Sequence, residues 1–243
     1  FRRSLQQDSS GDAMLTVQMQ RRAAPAMVLF GVTLTFASID LLMSLDPHWY
    51  STIFGVYYFA GGVVGIYALL TVLLFALQRS GFLRRAVTVE HYHDLGKLLF
   101  GFVVFWAYIG FSQYMLIWYA NIPEETRWLA QRQENGWGWV GLVLVFGHFL
   151  LPFAVLISRG PKRRPRILAV AAAWLLLMHW VDLYWLVAPA GSPGSPLPHL
   201  LDLTLLVGLG SLLLAAAAFA LRGRSLVPER DPRIEESLAF ENA

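Results

Sequence analysis

Residues 166–188 read RILAVAAAWLLLMHWVDLYWLVA, and this stretch decides both the fold class and the chemistry. Past Arg166 it is an apolar run long enough to cross a hydrocarbon core of about 30 Å, broken only by His179 and Asp182. Five more such runs occur, at 25–45, 52–77, 98–120, 138–158 and 199–221. Unpaired backbone groups are costly in lipid, so runs of this kind fold as helices rather than open strands. Their links are short, which makes sequential neighbours antiparallel and favours a bundle. The expectation is an all-α integral membrane protein: a polar segment at 1–24, a six-helix transmembrane domain over 25–221 and a polar tail at 222–243.

Composition agrees with this. At 56% hydrophobic and 14% charged residues, with mean hydropathy +0.52, the chain is far from the quarter-charged make-up of soluble domains. A soluble enzyme is excluded. The absence of cysteine removes iron–sulfur ligation, CxxCH haem attachment, zinc–thiolate sites and disulfides together. The net charge of +3 is not a nucleic-acid footprint, because its distribution is that of a membrane chain. Of nineteen Lys and Arg, all but Arg127 and Arg132 fall in 1–24, 78–97, 159–166 and the tail. Basic residues are retained on the cytoplasmic side, which puts both termini inside and the loops 46–51, 121–137 and 189–198 outside. Trp49, Tyr50, Trp118, Tyr119, Trp128, Trp137, Trp139, Tyr184 and Trp185 then form a belt at the outer interface, where an amphipathic ring is at home.

Ionisable residues inside spans carry the functional signal, since each needs a partner or water. Asp40, His148, His179, Asp182 and Asp202 are such residues, and Ser112 and Gln113 lie at a similar level in the outer half. Three readings of the set stay open: proton conduction through an outward half-channel, b-type haem held by His148 and His179, and a quinone pocket. A fourth is structural, with His179 and Asp182, one turn apart, satisfying each other. At the inner side Glu90-His91-Tyr92-His93-Asp94 suggests an interfacial helix start or the inner mouth of a proton route, with His91, His93 and Asp94 as its candidates. Metal is disfavoured there, since histidines two apart point to different helix faces. Gly61, Gly62 and Gly65 give a GxxxG spacing, read as ordinary close packing.

DLLMSLDPHWYSTIFGVYYFAGG (40–62) and HDLGKLLFGFVVFWAYIGFSQYMLIWYANIPEET (93–126) closely resemble the ActF-type membrane subunits of bacterial alternative complex III, a quinol:cytochrome c oxidoreductase. The likeness is dense over the first half and loose beyond the fourth span. It implies an NrfD-like helical bundle, commonly of ten helices, of which these six would be the C-terminal part, in the bacterial plasma membrane. It also implies an ActC-like sister subunit, an iron–sulfur subunit and multihaem cytochromes c as partners alongside lipid. Quinol, haem c and iron–sulfur clusters would belong to those partners, with no cofactor or metal bound by this chain. In that family the quinol-oxidising site is assigned to the ActC type, and the ActF type is proposed to help carry protons. Asp40, the loop 46–50, His93, Asp94, Lys97, Ser112 and Gln113 fall inside the matched segments; His148, His179, Asp182 and Asp202 come from depth alone. The function expected is a non-catalytic anchor and proton-conducting subunit of that complex in a respiratory or photosynthetic chain. The alternatives are a quinone-binding redox subunit with its own site and, third, an independent transporter, which would show inverted repeats and broken helices.

The basic asymmetry gives a direct test of topology. Reporter fusions after residues 161 and 192 should report opposite compartments, with 161 inside; the same compartment for both would overturn the orientation.

Overall fold

The computed structural model describes residues 1–192 and 194–241, which are mostly helical, with no strand among them. In chain order the helices are α1 (Arg2–Ser10), α2 (Met14–Leu41), α3 (Phe54–Arg79), α4 (Val89–Ala120), α5 (Pro123–Gln131) and α6 (Trp137–Val143). A π-helical turn over Leu144–Leu150 joins α6 to α7 (Leu151–Leu156), followed by α8 (Arg159–Lys162), α9 (Pro165–Gly191), α10 (Leu200–Leu221) and α11 (Ile234–Leu238). Six helical stretches among the described residues are long and apolar enough to cross a membrane: Met14–Leu45, Phe54–Arg79, Val89–Ala120, Trp137–Leu156, Pro165–Gly191 and Leu200–Leu221.

Two boundaries move from where hydropathy puts them. The first long helix begins at Met14 rather than 25, so Pro25 lies inside it; the polar turns before Pro25 are good helix formers, and Asp12 accepts the Met14 amide at 2.8 Å. The third begins at Val89 rather than 98, because Thr88 and His91 form a reciprocal cap around its first turn. His91 is thereby committed to the backbone.

The described residues divide into two units, 1–25 with 197–240, and 26–196 with 241, instead of one six-helix body. The first unit contains α1, the first part of α2, α10 and α11. Its buried Gln7 donates to Thr16 Oγ1 at 2.6 Å, and Arg230 reaches the Ser9 carbonyl at 3.0 Å. No residue of α10 is buried.

The second unit holds the core. On α3 the buried residues Tyr57, Ala60, Gly61, Val64, Gly65, Ala68 and Thr71 recur at three- and four-residue steps, a narrow stripe of mostly small side chains. On α4 the stripe is Leu99, Val103, Trp106, Ile109, Gln113 and Ile117. On α9 it is Leu168, Ala172, Leu175, Asp182 and Leu186. Gln113 and Asp182 therefore sit in register with the apolar core of their helices.

Pro152 explains the π turn. The Leu151 amide donates to Phe146 O, five residues back, so in this register the Gly147 carbonyl would be served by residue 152, which has no N–H. Trp174 Nε1 on α9 donates to it instead, at 2.8 Å. The extra residue in the turn carries His148 to a fully buried position.

If the indole serves that carbonyl, Trp174→Phe should cost about 1–3 kcal/mol of stability, the penalty of an orphaned buried acceptor. Combined with Pro152→Ala, whose amide can reach the Gly147 carbonyl, the same change should cost at least about 1 kcal/mol less. Strictly additive losses in thermal unfolding of the detergent-solubilised protein would show that the indole has no such role.

Candidate functional site

The centre of the second unit is a buried carboxylate. Asp182 is 1% exposed; its Oδ1 accepts the Tyr57 hydroxyl at 2.5 Å and its Oδ2 the Trp106 indole N–H at 3.0 Å. Among the described residues no cation lies within ion-pair distance of it. One side chain of α9 thus ties α3 and α4 together. His179 is not its partner: the Nδ1 of that ring has no hydrogen bond, so the reading in which the two satisfy each other is overturned.

His179 instead lies against the backbone of α3. A Cβ added at Gly65 would stand 2.8 Å from His179 Cδ2, and one at Gly61 would stand 3.2 Å from its Cε1. The GxxxG spacing thus lets α9 pack closely on α3, with the His179 ring seated against the two glycines. Across the site, His148 on the π turn is 0% exposed with neither ring nitrogen bonded. Trp106 covers it at 4.0 Å between ring centroids, and the two imidazoles are 6.4 Å apart. A porphyrin between them would have to displace Trp106 and part the His179 ring from α3. No group of three His, Asp or Glu able to hold a metal occurs among the described residues.

Beside this cluster is a cavity of about 670 Å³, walled by α4, α5, α6, the π turn and α9, within the usual range for small-molecule sites. Its walls are apolar and aromatic, with Tyr57, Trp106, Gln113 and Arg132 as the principal polar contributors. Phe111, Tyr114, Leu142 and Val145 belong to the same wall and are exposed on the outer faces of α4, α6 and the π turn, so the cavity opens sideways where lipid would lie.

Arg132 was visible in the sequence only as one of two outer basic residues. It is 4% exposed and bonded to carbonyls alone: Nη1 to Trp128 at 3.1 Å, Nε to Trp185 at 3.3 Å and Nη2 to Leu186 at 2.8 Å. Pro189, inside α9, explains the second of these, because it cannot donate to the residue four before it, Trp185. The guanidinium lies 3.6 Å over the Trp128 ring, and Trp128 stacks on Trp49 at 4.1 Å. Burial pulls the Arg132 pKa down to about 9, against an opposing effect of Asp46.

The remaining candidates are placed differently. Gln113 is buried on the cavity wall and Ser112 is half-buried. Asp40 is exposed on α2, its backbone carbonyl accepting from Ser44 Oγ. Asp202 belongs to the other unit and accepts the His199 amide at 2.8 Å as a cap of α10. At the opposite end of α4, His93 is buried with Nδ1 unbonded, and Asp94 pairs with Lys97 at 2.6 Å. Between that end and Asp182 the stripes are largely apolar, with Leu99, Val103, Val64, Ala68, Ala172 and Leu175.

Comparison with models of known protein families and with curated proteins finds no match for this chain.

Proposed function

We propose that this chain is a membrane-anchoring and proton-carrying subunit of a bacterial quinol:cytochrome c oxidoreductase of the alternative complex III type. In this reading it pairs with an ActC-like sister subunit in the plasma membrane, close to an iron–sulfur subunit and multihaem cytochromes c, with both termini cytoplasmic. The six-span helical chain and the strings at 40–62 and 93–126 support the assignment. The observation that carries the proton role is Asp182, a buried carboxylate held by two neutral donors and no cation. A carboxylate locked in an ion pair has no reason to exchange its proton; one held by a hydroxyl and an indole does, because the hydroxyl can turn from donor to acceptor as the carboxyl gains a proton. His148 and His179 extend the polar cluster with two imidazoles whose ring centroids lie 6.4 Å apart.

The cavity favours a second reading, a quinone-binding subunit with its own site. Its volume and its aromatic, apolar walls suit a lipid-soluble ring entering from the bilayer, and Arg132, Gln113 and Tyr57 supply polar contacts.

Asp182→Asn separates the two readings. The amide keeps the volume, and Tyr57 can rotate to accept from it, so assembly and haem content of the complex should be unchanged. Turnover should fall on the order of 10²-fold, the lower end of what a positioned proton-transfer group contributes. A fall in kcat at unchanged KM for quinol is the relay, whereas a raised KM assigns quinol to this cavity. Wild-type turnover and proton release in the variant would leave anchoring alone.

A further inference from the structure

The end of α4 away from Asp182 carries a second constellation that the relay does not use. Residues 159–166, RGPKRRPR, hold five cations within eight residues, and they meet the first turns of α4. Two cations of this corner have acids: Arg163 takes Glu90 through both oxygens, with Nη1 to Oε2 at 2.9 Å, and Lys97 takes Asp94 at 2.6 Å. Lys162 has no carboxylate within ion-pair distance among the described residues. Even so it is only 8% exposed.

Its position is fixed by its stem. A Cβ at Gly96 would come within 2.8 Å of Lys162 Cγ, so the glycine opens a slot in α4 that the lysine fills. The ammonium lies 5.3 Å from the centroid of the Phe100 ring. Lys97, Arg159 and Arg163 lie close enough to act, together with Lys162, on the buried His93. Burial first, and then the charge of Lys97, hold the Lys162 pKa below the ordinary lysine value; an anion brought to this corner would relieve both.

The surroundings say which kind of anion. Phe100 packs on Phe153 at 5.5 Å and Phe153 on Phe149 at 5.5 Å, an apolar wall that runs from the ammonium along the helices. Leu98 on α4 and Ile157, just past the end of α7, are exposed. A small hydrated anion uses only the charge, whereas an amphiphile uses both charge and wall. Basic pockets between helices on the cytoplasmic side suit anionic headgroups.

We propose that Lys162, with Arg159 and Lys97, binds the phosphate of one anionic phospholipid, whose acyl chain lies along Phe100 and Phe153. The leaflet rests on the topology proposed above, but the lipid site does not, so the test is blind to sidedness and the two ideas fail separately.

The protein is extracted in mild detergent with its accompanying subunits, stripped of lipid, and incubated with phosphatidylglycerol, phosphatidylcholine or inorganic phosphate. Native mass spectrometry then counts what stays on this chain. Phosphatidylglycerol should be retained over phosphatidylcholine, with retention falling about fivefold in Lys162→Gln, as loss of one basic group at an anionic headgroup implies. It should survive in Lys162→Arg and in Arg85→Gln, a basic-residue control on the same side. Equal retention of the two lipids, phosphate binding in their place, or a Lys162→Gln result no different from Arg85→Gln would overturn the proposal. Should Lys162→Gln not assemble, the preference of the wild-type protein between the two lipids decides.

Discussion

A carboxylate buried in an apolar bundle without a cation is the constraint on which the second unit depends. Placing an aspartate at the centre of a membrane helix costs roughly 2.5–3.5 kcal/mol on insertion scales. Two hydrogen bonds to a charged group, at about 1.5–3 kcal/mol each, are enough to offset that. Asp182 has two, from Tyr57 and Trp106, and they come from different helices. The arrangement therefore does two things together: it ties α3, α4 and α9 at one point, and it leaves the carboxyl without the ion pair that would fix its charge. The small-residue stripe of α3 follows from the same need, since larger side chains at Gly61 and Gly65 would exclude the His179 ring and crowd Asp182.

The walls around this point are held by a device used twice. A proline inside a helix strips a carbonyl of its partner, and a side chain from another element supplies the donor. Pro152 leaves Gly147 to Trp174, and Pro189 leaves Trp185 to Arg132. In the first case the register shifts by one residue, which turns His148 inward against Trp106. In the second a guanidinium is held inside the protein by carbonyls and an indole face, on the rim of the cavity. Rare helical registers gather at functional sites for this reason: the shifted turn aims a side chain that a regular helix would aim elsewhere.

Much of this was legible in the sequence, and the parts that were not have physical causes. The six long apolar helices follow from run length alone, because lipid leaves the backbone no other choice. Their ends do not, since a cap such as Thr88–His91 lengthens a helix through groups that hydropathy scores as polar. The inward placement of Asp182 and Gln113 could be read from their four- and seven-residue spacing with Leu175, Leu186, Trp106 and Ile117. Depth alone misplaced Asp40, which is at a suitable level but on the exposed face of α2, and it said nothing of the capping role of Asp202. Tyr57 and Trp106 escaped notice because aromatic residues in a membrane chain are read as packing or interface until a polar partner is located. Arg132 escaped because a loop charge gives no sign of being folded inward. Pro189 was the available hint, since it signals that the Trp185 carbonyl needs a donor, although it cannot name one.

The central claim is that Asp182 changes its proton during turnover. Infrared difference spectroscopy of the quinol:cytochrome c oxidoreductase complex proposed above, recorded between quinol-reduced and oxidised states, reads this directly through the C=O stretch of a carboxylic acid. The expected result is a carboxyl band that appears or vanishes on reduction, shifts in heavy water and is missing from Asp182→Asn. Identical carboxyl spectra for the wild-type and variant complexes would mean that Asp182 keeps one protonation state throughout, and would contradict the claim.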